Sequence, residues 1–525
     1  MAATLIGLTC LPAEAAIHYV APNGSPTNFG TPDSPLDLAT ALSIKSAIVR
    51  PGDTVVLDEG TYHGGFRATL SGTVDDPIVI RGAPGRRVTI DAAESERPGI
   101  AASGDWTVWR DLEITNSDPR RNSKHRGRWA SDLRRRAGIE VTGDHVRLIN
   151  LVIHDAGQGM WLPASSRDVE AYGCICYYNG WDCPYGGQGH GIEAQNEKEI
   201  KRLHDNIVFN NFGCGIYLAS RVAQVNGFDV EGNFVFDNGV LAGDRQRQRN
   251  LLAGSLSHSG SQLRICDNVL RHAGCAATSV QIGRTMKSKD LVFTGNYVIG
   301  SMQVLKFRTL EVSGNLFACV LTMVHLHTEE KTERLEYHWD RNRYHFVEGA
   351  WFPMAYYRGE HGGGLDVAEW RRKTGLDRAS FIKNDLPHGV EVFVRPNRYE
   401  EGRAHVAIVN WDRAPQVEVD LAAVARPGHR YRIVSARDYY GPAVAEGRWE
   451  PGQKKVTLAM PGPPPAAPVG DVSSPPPEAD SGFACFVVLP VLESQAESPH
   501  DAPAPPAPRD PEEPQQTQQA DVRPN

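Results

Sequence analysis

The chain has 525 residues, a formal net charge of −8, 22% charged residues and 51 glycines. That acidic balance excludes a chain built to neutralise nucleic-acid phosphates, and no stretch after the first residues approaches the roughly 20 apolar residues that span a bilayer. The length allows two or three domains, and the glycine content asks for many turns.

The opening, MAATLIGLTCLPAEA, is a short apolar run ending in Ala13-Glu14-Ala15, the small-x-small form of a signal-peptidase site, although a basic leader is missing. It predicts a signal peptide over residues 1–15 and a secreted or periplasmic mature chain. Eight cysteines then follow: Cys174, Cys176, Cys183, Cys214, Cys266, Cys275, Cys319 and Cys485. No paired CxxC spacing suggests a metal, and most lie on strands, so they read as buried thiols. A bridge from Cys174 or Cys176 to Cys183 is open in an exported chain. Residues 17–35 read as a strand and an exposed turn-rich segment. In DLATALSIKSAIV, Leu38, Leu42 and Ile48 fall at helical spacing before Pro51-Gly52. An amphipathic helix there would cover an otherwise open sheet edge.

From Ala137 to Ala219 the sequence reads as short lines of one grammar: a glycine, an alternating apolar strand, a turn, a second strand, an Asn or Gly, a third strand. The lines continue through FDVEGNFVFDNG, SQLRICDNVLRHAG, LVFTGNYVIG and LEVSGNLFACV. Units of roughly 20–35 residues, each too small to bury its own apolar face, must stack. Asn150, Asn206, Asn233, Asn268, Asn296 and Asn315 recur at one turn, where each rung offers Asn a left-handed corner and the amides can hydrogen-bond from rung to rung. The prediction is an all-β fold, a right-handed parallel β-helix.

Upstream, RPGDTVVLDEGTYHG followed by PIVIRG and VTIDA resembles the first coil of the pectate-lyase-like superfamily of right-handed parallel β-helices. That superfamily includes pectate, alginate and chondroitin lyases, polygalacturonases and alginate epimerases. The resemblance covers residues 16–345 and implies that a polysaccharide lies along one sheet and its flanking loops. The motifs are structural, and the superfamily hosts several chemistries.

Between Ile114 and Gly138 a rung is interrupted by NSDPRRNSKHRGRWASDLRRRA. Arg120, Arg121, Lys124, Arg126, Arg128, Arg134, Arg135 and Arg136 face only Asp118 and Asp132. Such an insertion is either a solvated loop or an arm that attracts a uronate or sulfated polysaccharide, with Arg126 and Arg128 as contacts and Trp129 favouring contact. Residues 346–384 read as a connecting segment with a short helix, AEWRRKTGLDRASF. Longer alternating strands over 385–492 (VEVFVRPN, AHVAIVNWD, VEVDL, RYRIVSA, KKVTLAM, FACFVVLP) predict a smaller antiparallel β-sandwich, split by a proline-rich loop over 461–482. This resembles the C-terminal β-sandwich modules of secreted polysaccharide-active β-helix proteins. Residues 493–525 are proline-rich, acidic and apolar-poor, the composition of a disordered tail.

Strand parity then maps one face. Taking Ile139, Met160, Ile192, Ile216, Leu251, Val280, Leu305 and Val324 as inward puts Glu140, Trp161, Glu193, Tyr217, Leu252, Gln281, Lys306 and His325 outward. Two residues on, Gln195, Arg308 and His327 face the same way. Trp161 and Tyr217 are sugar-stacking platforms beside Glu193, and Gln195, Tyr178, Arg308 and His325 complete the candidate binding set. Glu140 and Glu193 stand two rungs apart, about 9.6 Å at the backbone. The pair suits an inverting hydrolase or, alternatively, oxygen ligation of a Ca²⁺ that neutralises a uronate carboxylate. A lyase needs a base for the C5 proton, with Lys306, Arg308, His190 and His325 as choices.

His190, in GQGHGIEAQN, resembles the Gly-His-Gly of polygalacturonases. Their paired aspartates and Asn-Thr-Asp signature are missing, as are the usual Lys and Arg contexts of the chondroitin and alginate lyases. His154 and Asp182 lie at turns feeding the same face and are further catalytic candidates. The functional expectation is a monomeric, exported lyase or epimerase acting on an acidic polysaccharide. An inverting hydrolase and a non-catalytic carbohydrate-binding surface protein are the alternatives.

Overall fold

The computed structural model describes residues 15–126, 129–242, 249–272, 278–319, 324–328, 336–346 and 353–491. The expected signal peptide, but for Ala15, the tail over 493–525 and Arg128 lie outside the described residues.

Three parallel sheets wind together, each of 12 strands among the described residues. Sheet 1 runs from Ile17–Val20 to Glu336–Asp340, sheet 2 from Phe66–Ala68 to His361–Leu365, and sheet 3 from Gly60–His63 to Phe381–Lys383. Successive strands visit sheets 1, 3 and 2 in turn, the winding of a right-handed parallel β-helix. All pairings in the three sheets are parallel except the last in sheet 2, where His361–Leu365 turns back on Met354–Arg358.

The interior is columns of like residues. In sheet 2, Ile139, Met160, Ile192, Ile216, Leu251, Val280, Met302, Val324 and Met354 pair rung to rung and are fully buried. Alternation along each strand leaves every second residue outside, so this column also fixes the outer face. Eight of its nine positions follow strand parity directly or, as at Met354, extend it. The ninth differs: Met302, not Leu305, is inward. The strand Ser301–Leu305 begins earlier than its alternation suggests, and its pairing slips between Thr278 and Val280.

An asparagine ladder closes the corner between sheets 1 and 3. Asn206, Asn233, Asn268, Asn296, Asn315 and Asn342 pass amide hydrogen bonds upward at 2.9–3.1 Å. The left-handed backbone sits one residue before each Asn, at Asp205, Gly232, Asp267, Gly295, Gly314 and Arg341. Asn150 stands outside the ladder: it is itself left-handed, donates to Glu400 and accepts from Asn397. A second ladder, Asn179, Asn211, Asn238 and Asn250, runs on the other side of sheet 3.

The N-terminal cap is shorter than its spacing predicts. Leu38–Ala41 is one helical turn, capped by the Asp37 carboxylate on the Thr40 amide, and Ile44–Ser46 is a 3-10 turn. Leu38 and Leu42 still close the core. At the far end, the segment read as a connector supplies further strands of sheets 2 and 3 and the helix Val367–Thr374, whose Trp370 seals the last rung. Beyond it, a five-stranded antiparallel sheet (Val390–Pro396, Ala404–Asn410, Phe483–Val491, Arg430–Ser435, Ala445–Arg448) faces a two-stranded ribbon (Gln416–Asp420, Lys455–Ala459) over a shared apolar core.

This C-terminal module lies against the outside of sheet 3. Tyr177, Phe209 and Phe236 stack at 5.0 Å spacings, and Phe483 meets Phe236 edge-on. The proline-rich loop is a strap on the same side. Its Ala466 carbonyl accepts from the Tyr178 hydroxyl at 2.7 Å, and its Val469 amide donates to Asp155 at 3.0 Å. Cys174, Cys176, Cys266 and Cys485 are buried free thiols, so neither Cys174 nor Cys176 closes a bridge to Cys183.

Candidate functional site

The outer face of sheet 2 carries one column in strict register: Arg67, Ala101, Glu140, Trp161, Glu193, Tyr217, Leu252, Gln281, Gln303, His325 and Ala355. Glu140, Trp161, Glu193, Tyr217, Leu252, Gln281 and His325 therefore share a surface, as parity predicts. Lys306 does not stand in the column. The slip that turns Met302 inward gives the place to Gln303, and Lys306 becomes a left-handed corner residue whose amide donates to the His327 carbonyl. Arg308 is exposed past that corner. Gln195 is half-buried at the end of its strand, where its carbonyl accepts from the buried Lys201 ammonium.

The densest chemistry lies at the Glu193 rung. Glu193 is 5% exposed, and its Oε2 accepts from Gln158 Nε2 at 2.9 Å. The other end of the Gln158 amide accepts from the His190 backbone at 2.6 Å. The His190 ring stacks on Tyr217, centroids 4.1 Å apart and planes within 2°. Its Nδ1 accepts from the Cys214 amide at 2.9 Å, so the neutral ring carries its proton on Nε2. The Tyr217 hydroxyl accepts from Arg284 at 3.3 Å, and Arg249 donates to Gln281 at 3.1 Å. Burial holds the Tyr217 proton on more firmly than usual, with Arg284 pulling the other way. Burial lowers the Arg249 pKa, Cys214 opposes this, and the charge of Arg284 adds a smaller push downward. Two guanidiniums beside a phenol and an imidazole form a place suited to an anion.

Gln158, Arg249, Arg284 and Gln303 escape a reading by strand parity. Gln158 starts its strand between two glycines, and the two arginines stand where chain enters or leaves the sheet. Only a glycine corner followed at once by arginine (Gly283-Arg284) marks either of them in the sequence.

Three candidates lie elsewhere. His154 sits at the edge of sheet 3, between Glu113 at 2.9 Å and Asp155 at 2.7 Å. Burial would lower its pKa, but the hydrogen bonds it donates to Asp155 and Glu113 outweigh this and raise it to about 9. Glu113 is likewise pushed up by burial yet held near 2 by His154, Arg87 and Thr89. Tyr178 is fully buried beneath the proline-rich strap. Asp182 accepts from the Ser473 hydroxyl and the Cys183 amide, at a surface cavity of about 430 Å³ lined by Asn122, Ser123, Lys124 and Asp132. None of the three faces the sheet 2 column.

The basic insertion is more structural than its charge suggests. Arg121 and Arg135 are 1% exposed and bind backbone carbonyls of Tyr178, Gly180, Asp118 and Asp155. Arg120 pairs with Asp118, and Arg134 and Arg136 with Glu96. Ala130 and Leu133 pack on Trp181. Lys124 and Arg126 are exposed, with Arg126 over the Tyr185 ring.

Calcium ligation by Glu140 and Glu193 together does not fit this arrangement. Calcium takes 6–8 oxygens, whereas Trp161, 6% exposed, fills the rung between the two carboxylates and Gln158 holds one of them. A group with metal-compatible spacing among the described residues is His204, Asp229 and Glu231 on sheet 1. Arg264 already reaches both of its carboxylates.

Fold and register define a pectate-lyase-like right-handed parallel β-helix with a C-terminal β-sandwich docked on one flank. Residues 18–250 match the family described as Pel9A-like, right handed beta helix region. The chain is 32% identical over 110 residues to pectate lyase L of Thermoclostridium stercorarium, 20% of this chain and 8% of that one. It is 39% identical over 93 residues to pectate lyase PEL9 of Emericella nidulans, 17% of this chain and 22% of that one. The chain thus spans under a quarter of the length of these relatives. The crystal structure of pectate lyase Pel9A aligns with a TM-score of 0.43 at 19% identity, covering 57% of this chain and 78% of that one. No described helix is long and apolar enough to cross a membrane.

Proposed function

We propose that the protein is an exported enzyme that binds an acidic, uronate-containing polysaccharide along sheet 2 and moves the proton at uronate C5, as a lyase or an epimerase. The observation that supports this most is the meeting of Glu193, His190, Tyr217, Arg249 and Arg284 on one face. An α-proton beside a carboxylate becomes removable when the carboxylate's developing charge is neutralised, and a paired-guanidinium site is suited to that task.

In this reading Arg249 and Arg284 hold the uronate carboxylate, and Trp161 supports a neighbouring sugar. Glu193, oriented by Gln158, accepts the C5 proton. His190 is a poor base because its Nδ1 is taken by the Cys214 amide, but its Nε2–H can donate. Tyr217, which burial keeps protonated, is the second donor. As the C5–H bond breaks, its electron pair enters the carboxylate-stabilised enolate. In elimination that pair forms the C4=C5 bond, the C4–O4 bond breaks, and O4 leaves with a proton from Tyr217 or His190. In epimerisation Glu193 keeps the abstracted proton, and Tyr217 or His190 instead delivers a proton to C5 from the opposite face.

The test is incubation with polygalacturonate and alginate, with and without Ca²⁺, following unsaturated-uronate absorbance, reducing ends and, in deuterated water, exchange at C5. Absorbance with reducing ends identifies a lyase, and exchange without cleavage an epimerase. Reducing ends alone would overturn the C5 mechanism and promote Glu140 and Glu193 as a hydrolytic pair. Binding without any of these signals would make the chain a non-catalytic carbohydrate-binding protein.

A further inference from the structure

The sheet 2 face does not end at its acid–base cluster. Four and five rungs beyond Tyr217, about 19 and 24 Å along the stack, His327 and Tyr357 pair across adjacent strands. Their rings stack with centroids 4.4 Å apart and planes within 9°. Both point outward and are half-buried, since their neighbours Leu326, Val324 and Met354 fill the core. Burial lowers the His327 pKa, so near neutral pH its ring joins the stack uncharged.

What lies beyond Tyr357 sets this stack apart. The next strand, His361–Leu365, reads HGGGL and places Gly362, Gly363 and Gly364 opposite Tyr357, Tyr356 and Ala355. At Gly362, φ is 154° and an added Cβ would lie 2.2 Å from the Tyr356 carbonyl oxygen, so the position opposite Tyr357 is restricted to glycine. His327 covers one face of the tyrosine ring, and the strand on the other side brings no side chain to it. Three consecutive glycines weaken a strand and are found where a ligand or another backbone comes close. Between this bare ring and the Tyr217 cluster the same column presents Leu252, Gln281, Gln303 and His325, a mostly polar floor.

We propose that Tyr357, backed by His327 and bared by the Gly362–Gly364 strand, is a distal sugar-binding subsite for the polysaccharide, several sugar units from the acid–base cluster. It rests on the reading of sheet 2 as the polysaccharide face. A sugar ring presents an apolar C–H face that an aromatic ring receives, and the subsite rewards chain length because only a long chain spans both stations.

The test compares binding of polygalacturonate and of its trimer to the full chain, for wild type, Tyr357→Ala and Tyr357→Phe, using alginate and its trimer if polygalacturonate does not bind. Tyr357→Ala is expected to weaken the polymer about 5- to 10-fold, to leave the trimer unchanged and to leave turnover of the trimer unchanged. Tyr357→Phe is expected to retain polymer affinity. Equal losses for polymer and trimer, or polymer binding by Tyr357→Ala equal to wild type, would overturn the subsite alone. Failure of wild type to bind either polymer would overturn the sheet 2 reading and the subsite with it. Thermal melts of the variants separate loss of the ring from loss of the fold, and Tyr357→Leu, which keeps bulk without a ring and is expected to weaken the polymer as Tyr357→Ala does, carries the test if Tyr357→Ala does not fold.

Discussion

Sheets 2 and 3 are cut from the same rungs, yet their outer faces have opposite fates. Outside sheet 3 the columns read Val152, Ile175, Ile207, Phe234, Val269, Tyr297, Leu316 and Tyr177, Phe209, Phe236. Such a surface cannot stay in water, and the sandwich covers it with Ala407, Val409, Val434, Phe483 and Val487. Outside sheet 2 the column mixes Glu140, Trp161, Glu193, Tyr217 and Gln281, and the C-terminal module is not docked there. An all-apolar column marks a joint, and a mixed column of acids, amides and rings makes the surface proposed for the polysaccharide. The boundary is sharp even within a rung. His154, next to Tyr177 at a ring distance of 4.9 Å, is drawn into the buried side by Glu113 and Asp155.

The covered face gives the largest expected effect. Phe209→Ala removes the middle ring of the stack and is expected to cost about 3–5 kcal/mol, read as a lower denaturation midpoint. Loss of less than about 1 kcal/mol would mean that the sandwich is held by its strap rather than by this apolar contact. On the open face, Glu193→Gln is expected to lower turnover about 10²- to 10³-fold with little change in the melting temperature. A comparable loss of stability would make Glu193 a structural group of sheet 2 rather than part of a working site. Between the two faces, Asn268→Ala breaks two links of the ladder, leaving the Asn233 backbone amide without its acceptor and the Asn296 side-chain oxygen with one donor fewer. Its expected cost is about 2–3 kcal/mol, with activity per folded molecule unchanged.

Period-2 alternation and a repeating glycine made the β-helix and most of the sheet 2 column legible, because a parallel coil with a dry interior leaves each strand one choice of face. Leu305 and Lys306 mark where that logic stops: a slip in pairing moves side chains by an odd step, and nothing in SMQVLKF announces it. The charge run at 117–136 failed differently. Charge is a property of composition, but Arg121 and Arg135 are committed by geometry to backbone carbonyls at a corner that no local pattern describes. His154, Tyr178 and Asp182 do lie where the chain passes from sheet 3 into sheet 2, but Glu113, Asp155 and the proline-rich strap, all distant in sequence or across a corner, hold their side chains on the sheet 3 side. Arg249 and Arg284 come together from separate rungs, so their pairing exists only in three dimensions.

The smallest expected effect concerns pH and again divides the faces. His154 has its pKa raised from 6.5 to about 9, so its pairing stabilises the fold fully below 6.5 and is lost as pH climbs through about 9. Glu113, lowered from 4.5 to about 2, contributes fully above 4.5 and loses its contribution as pH falls through about 2. Both contributions are complete between 4.5 and 6.5, and the decline above that window belongs to His154. His154→Gln should therefore lower stability near pH 6 and flatten the fall between pH 6.5 and 9, measured by denaturant unfolding across that range. A wild-type decline that persists in parallel in the variant would assign the alkaline limb to another group. If turnover and stability of the variant fall together at every pH, His154 acts only through the joint. If turnover falls where stability does not, the sheet 3 edge takes part in the work of sheet 2, and the division between the two faces is less complete than their columns indicate.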